Sequence, residues 1–213
     1  MDKSRLGVVT GLQAEARWLS RAGCMVQVGG GTPEGARVMA QKLVDEGAKA
    51  LLSFGLAGGL QPGVPPGTLL VPARVLTSTK IYDCDPELMS FLGSACPLSL
   101  LAGQTIVATG AEKSALFEHY KAASIDLESG AVAEVAAQNA LPFAVLRAVA
   151  DPAERTLPPA ALVALKDDGS LDSWGLIYSI LRQPKQIPAL IKIGQDAKAA
   201  RRNLLERLKQ IGF

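Results

Sequence analysis

Three short apolar runs, each stopped by glycine, constrain this chain most. LGVVT (Leu6–Thr10) ends at Gly11, MVQV (Met25–Val28) ends at Gly29-Gly30-Gly31, and ALLSF (50–54) runs into Gly55-Leu56-Ala57-Gly58-Gly59. Runs of four or five aliphatic and β-branched residues bounded by turn residues read as buried strands. Residues 13–21 and 34–46 read as helices, the second entered through Thr32 and Pro33, residue types that favour a helix start. Strand and helix patterns keep alternating to about Asp151, which predicts an α/β domain with a mixed or mostly parallel sheet.

Further strands are expected at 68–76 and 105–108, with 78–102 mixed in pattern, and a short helix at 112–120. Residues 125–152 are the most informative stretch. Asp126 and Glu128 close a strand, 130–139 is an Ala-rich helix, and the apolar run 143–150 stops at Asp151-Pro152. Beyond it, 155–169 reads as loop and turn, 174–181 and 187–193 are apolar, and 198–209 is a basic helix with Leu204, Leu205 and Leu208 on one side. The expectation is one domain, 1–213, with 155–213 a helical extension packed on it. The other reading of that extension is an exposed apolar and basic surface that touches lipid.

Charge and cysteine usage exclude several classes. A formal charge of +2 gives no electrostatic case for nucleic-acid binding. Cys24, Cys84 and Cys96 are widely spaced, so neither a disulfide framework nor a metal site is suggested, and a reduced, cytoplasmic compartment is expected. MDKSR leads into an apolar run too short for a signal peptide or a membrane span. His119 is the only histidine and reads as a surface or packing residue.

Ligands of open α/β sheets bind outside the carboxyl ends of strands, so Glu128 and Asp151 are expected to face one pocket from two directions. A helix cap or an ion pair is the plain alternative for each. Gly11 and Gly30, at strand-to-helix turns, and Gly55 after the third strand would let backbone N–H groups meet an anion; an ordinary tight turn explains Gly11 as well. Neither glycine loop fits a Walker or dinucleotide pattern. One chemistry needs such a set: cleavage of a purine N-glycosidic bond, with Asp151 as acid at the departing base and Glu128 accepting bonds from two ribose hydroxyls.

GVVTGLQAEARWL, LLSFGLAGGLQPGVPPGTLLVPARVL and IDLESGAVAEVAAQNALPFAVLRAVADPAE resemble consecutive signature regions of the nucleoside phosphorylase and methylthioadenosine/S-adenosylhomocysteine nucleosidase superfamily. Within it the chain is most similar to hopanoid-associated phosphorylases, and that similarity extends into LPPAALVALKDDGSLDSWGLIYSILRQPKQIPALIKIGQDAKAARRNLL. The resemblance implies a three-layer α/β/α fold with a central mixed, partly barrel-like sheet, a homodimer, and no metal or organic cofactor. It implies Glu128 as the ribose ligand and Asp151 as the general acid at purine N7, with Phe143 a core residue. The implied reaction is phosphorolysis of adenosylhopane, with phosphate as co-substrate held by Gly11, Gly30 and Gly55. Hydrolysis of a thioadenosine and noncatalytic nucleoside binding are the alternatives.

Two departures from the family pattern bear on the nucleophile. Leu56 stands where members commonly carry Ser or Thr, and Ala16 aligns with the base of the nucleosidases; Glu15, one residue or about 100° of helix away, is the candidate to substitute for it and joins Gly11, Gly30 and Gly55 as an expected phosphate or nucleophile contact. The resemblance would also give the tail a purpose: Trp174, Leu176, Ile177 and Ile180, with Ile187, Leu190 and Ile191, are expected to line the path of a hopane skeleton, and Lys192, Lys198, Arg201 and Arg202 to face headgroups at the inner face of the membrane, with packing of these residues in the core as the stronger alternative.

Overall fold

The computed structural model describes residues 2–93, 96–162, 179 and 182–213. The three apolar runs form β1 (Leu6–Thr10), β2 (Met25–Val28) and β3 (Ala50–Gly59), separated by α1 (Gln13–Trp18) and α2 (Pro33–Asp45). β1 lies between β2 and β3, parallel to both. Thr32 caps α2 by accepting a bond from the Gly35 N–H at 3.1 Å, and Pro33 occupies its first turn. Next come β4 (Leu69–Leu70), β5 (Pro72–Leu76), β6 (Ile81–Asp83), α3 (Pro86–Leu92), β7 (Cys96–Ala102), α4 (Gly110–Tyr120) and β8 (Ala122–Asp126). The chain continues through α5 (Ser129–Gln138), β9 (Phe143–Asp151), α6 (Pro159–Leu162) and α7 (Ile187–Gln210).

Three local expectations are corrected. Residues 55–59 are not a loop: β3 continues through them, because β9 pairs with it in parallel from Leu51 to Gly58. The run 68–76 is two strands with different partners, β4 on β9 and β5 on β6 and β7, divided at Val71. Residues 105–108 are not a strand; they lead into α4, whose start is fixed by Thr109 and Glu112 bonding each other's backbone N–H. The strand they were expected to form is supplied instead by β7, parallel to β5 and β8.

The nine-stranded sheet is mixed and branches at β3. One arm is β9 and β4; the other runs through β8, β7, β5 and β6. Because residues 69–76 pass from the first arm to the second, the arms rejoin, and this closure is the barrel-like part of the sheet. Alternate residues of a strand face opposite sides, and the core divides accordingly. Leu52, Phe54, Ala144 and Leu146 pack with Leu88, Leu92, Leu204 and Leu208 on one face; Leu51, Phe143 and Val145 pack with Ala36, Leu43, Val132 and Val135 on the other. The result is a three-layer α/β/α arrangement in which Phe143 is a core residue.

α7 is a single 24-residue helix across both stretches read separately in the sequence, and it buries Ala200, Leu204 and Leu208 at a spacing of one turn. Trp174, Leu176, Ile177 and Ile180 lie outside the described residues. Ile187, Ile191, Lys192, Lys198, Arg201 and Arg202 are exposed on α7, and Leu190 is half-buried. Among the described residues no helix is long and apolar enough to cross a membrane. His119 is exposed and stacks edge-on against Tyr120.

Candidate active site

The branch in the sheet creates the site. β9 follows one edge of β3 as far as Gly58, while the other edge pairs with β1 only to Phe54 and with β8 only at Gly58 and Gly59. Residues 55–57 therefore face a gap between β1 and β8. A buried backbone group without a partner is costly, and two side chains supply the partners. Glu15 Oε1 accepts the Leu56 N–H at 2.8 Å, and the Leu56 carbonyl accepts a bond from Arg147 Nη1 at 3.1 Å.

Glu15 reaches this gap from the third position of α1. Its Oε2 turns back to the helix entry and accepts the N–H groups of Leu12 (2.9 Å) and Gly11 (3.1 Å), as the acid of a capping box does. The residue is 2 % exposed, and burial holds its carboxyl above the usual range, against the pull of Arg147 and the three N–H donors. Of the two neighbouring candidates, Glu15 and not Ala16 lines the pocket, because α1 begins at Gln13 and its third residue faces its own start. Gly55, at φ +147°, is required here, since a Cβ would lie 2.5 Å from Glu15 Oε1.

Arg147 is a single cation within the apolar strand β9, 1 % exposed and held by three elements. Its Nη2 donates to Glu128 Oε2 (2.9 Å) and Ser53 Oγ (2.7 Å), and its Nε lies 2.7 Å from Asp126 Oδ2. Asp126 also accepts the N–H and hydroxyl of Ser129, so it satisfies the first free N–H of α5 while pairing with Arg147. Three carboxylates, from Asp126, Glu128 and Glu15, thus surround one guanidinium. Glu128 bears the consequence: burial first, opposed by Arg147 and reinforced by the neighbouring acids, pushes its pKa up to about 7. Glu128 lies against Gly11, where a Cβ would stand 2.4 Å from Oε1.

Asp151 ends β9. Its Oδ2 accepts a bond from Lys113 Nζ at 2.5 Å, and its Oδ1 is buried with no partner among the described residues. Burial raises its pKa, opposed by Lys113 and Arg155.

These groups line one cavity of about 240 Å³ together with Leu12, Gly31, Leu56, Ala57, residues 105–107, Leu127 and Leu157. Gly11, Glu15, Glu128 and Asp151 are brought together there. Gly30 and Gly55 are not among the residues lining the cavity: Gly30 precedes the lining residue Gly31, both at positive φ, and Gly55 packs against Glu15. The Gly11 N–H, read from sequence as an anion contact, is donated to Glu15. Sequence reasoning missed Arg147, Lys113, Ser53 and Ser129. Arg147 carried a signal, since a lone charge within FAVLRAVA must be paired if that run is buried; Lys113 carried none.

Solved structures with this fold include a mutant Helicobacter pylori MTAN with 5′-methylthioadenosine in its active site, 14 % identical over 99 % of this chain and 100 % of that one, with a TM-score of 0.69. The S-adenosylhomocysteine nucleosidase of Streptococcus pyogenes, in complex with 5-methylthiotubericidin, is 15 % identical over 100 % of this chain and 99 % of that one, with a TM-score of 0.67. Futalosine hydrolase of Helicobacter pylori is 12 % identical over 96 % and 97 %, with a TM-score of 0.68. At these identities the likeness concerns the fold. No curated protein sequence matches the chain. The family model of the phosphorylase superfamily matches residues 8–89 and 99–169, well over half of the chain and all the acids of the pocket, and this protein belongs to that superfamily.

Proposed function

We propose that this protein is a purine nucleosidase, cleaving the N-glycosidic bond of an adenine nucleoside with water as nucleophile. The observation that carries this reading is Glu15. Its carboxylate takes the Gly11 and Leu56 N–H groups that an incoming phosphate would need. Among the described residues lining the pocket Arg147 is the one cation, already paired with Asp126 and Glu128. A phosphate dianion would meet acids there, whereas water meets a base. The solved structures of similar fold, which are nucleosidases and a hydrolase by their descriptions, support the same reading.

In this mechanism Glu128, once ionised, accepts bonds from the ribose 2′ and 3′ hydroxyls. Protonated Asp151 gives its proton to purine N7 as the C1′–N9 electron pair passes to the base. The carboxylates around Arg147 stabilise the positive charge developing on the sugar. Glu15 accepts a proton from water as its oxygen bonds to C1′. Products are adenine and the free sugar.

Phosphorolysis of a lipid-linked adenosine is the second reading, favoured by the resemblance of residues 157–205 to hopanoid-associated phosphorylases and by the exposed Ile187 and Ile191 beside basic residues of α7. Adenine release from methylthioadenosine, S-adenosylhomocysteine and adenosylhopane, each with and without phosphate, tests both. Release without phosphate, with free sugar as co-product, is expected. Strict dependence on phosphate sinks the hydrolytic reading, and no release from any nucleoside leaves only a binding protein.

A further inference from the structure

The two oxygens of Asp151 are in different situations. Lys113 holds Oδ2 at 2.5 Å, whereas Oδ1 is buried and unpartnered among the described residues. Lys113 comes from α4 and is 0 % exposed. Its ammonium also donates to the carbonyls of Pro152 and Arg155, both at 3.1 Å. An ammonium has three donors, and these three acceptors use all of them. The group is thereby fixed in direction, and it ties the end of β9 to the turn that follows.

We propose that Lys113 is the positioning residue of N-glycosidic cleavage: by holding Oδ2 it leaves Oδ1, the oxygen with no partner among the described residues, to carry the proton that purine N7 receives. This rests on the reading of Asp151 as general acid. The proton travels on Oδ1. As the C1′–N9 bond breaks and its electron pair enters the purine, Oδ1–H passes its proton to N7, and the carboxylate so formed faces Lys113, which keeps all its protons. Lys113 opposes the upward pull of burial on Asp151; Arg155 acts with it, and Asp196, paired with Arg155, acts against it. Lysine therefore contributes two separable properties. Its charge lowers the pH at which Asp151 loses its proton, against burial, and its contact with one oxygen sets the geometry.

Adenine release from methylthioadenosine by purified full-length protein, followed from acid to alkaline pH, separates them. Lys113→Met removes both, so the alkaline limb of kcat/KM is expected to move up by about one pH unit or more, and kcat to fall at least about tenfold with KM little changed. Lys113→Arg keeps the charge and hence the limb, but its planar fork engages both carboxylate oxygens, so kcat falls while KM holds. Wild-type kcat and limb in folded Lys113→Met, or wild-type kcat in Lys113→Arg, overturns the proposal. Should Lys113→Met fail to fold, Lys113→Arg decides alone by the same criterion. Asp151→Asn identifies which idea has failed. Full release by Asp151→Asn refutes the general-acid reading itself, whereas an inactive Asp151→Asn beside unaltered Lys113 variants refutes only the positioning role.

Discussion

Glu15 and Leu56 meet in the gap where β3 changes partners: Oε1 of the acid accepts the Leu56 N–H at 2.8 Å. A side chain thus completes the edge of a strand, and the same carboxylate lines the pocket. The residue that repairs the sheet is the residue proposed to activate water.

Glu15→Gln tests that double role. The amide cannot take a proton from water, so kcat for adenine release should fall about a hundredfold or more. An amide nitrogen facing the Gly11 and Leu12 N–H groups, or the Leu56 N–H, leaves donor against donor, which costs about 1–3 kcal/mol. Steady-state kinetics and thermal unfolding read the two effects. Unchanged kcat would exclude Glu15 as the base.

Gly55→Ala should remove most activity. Its Cβ would collide with Glu15 Oε1, and its φ of +147° strains any L side chain by about 1–3 kcal/mol. Gly11→Ala acts on Glu128 instead and should raise KM, through the ribose, more than it lowers kcat. A kcat/KM split comparing the two variants checks the assignment.

Arg147→Met leaves Asp126, Glu128 and Glu15 buried without their cation. Breaking a buried pair in this way costs about 3–5 kcal/mol, and Asp126→Asn in addition should recover part of it. Thermal unfolding of the single and double variants measures the coupling; strictly additive effects would refute it.

Stability should fall as pH rises from about 4.5 to about 7. The sign follows from Glu128, whose folded-state pKa of about 7 lies above its ordinary 4.5. The native state therefore holds a proton that the unfolded chain releases first, and the contribution is full below the ordinary value and lost through the raised one. Glu15 and Asp151, also raised, add in the same direction. A tenfold difference in proton affinity between the folded and unfolded chain is worth about 1.4 kcal/mol, so the effect is on the order of a few kcal/mol. Glu128→Gln should flatten the dependence in a pH series of unfolding curves.

Several elements were legible because a local pattern determines them. Leu6–Thr10, Met25–Val28 and the start of β3 are short runs of β-branched and aliphatic residues between turn residues, and Thr32-Pro33 fixes the entry of α2. Residues 55–59 were misread because glycine is locally compatible with a loop. Pairing with β9 and the need to admit Glu15 decide that it is strand. Residues 105–108 were misread because a β-branched run has no way to report that β7 already occupies the place beside β8.

The amino-acid sequence by itself determined the alternation of strands and helices, the position of Glu128 and Asp151 at the carboxyl ends of β8 and β9, and the family. These depend on periodicity and on residues adjacent in the chain. Only the tertiary structure decided that Glu15 rather than Ala16 lines the pocket, that Arg147 gathers Asp126 and Glu128, and that Lys113 claims one oxygen of Asp151. Each is a contact between distant parts of the chain, set by where the branch in the sheet leaves backbone and charge in need of partners.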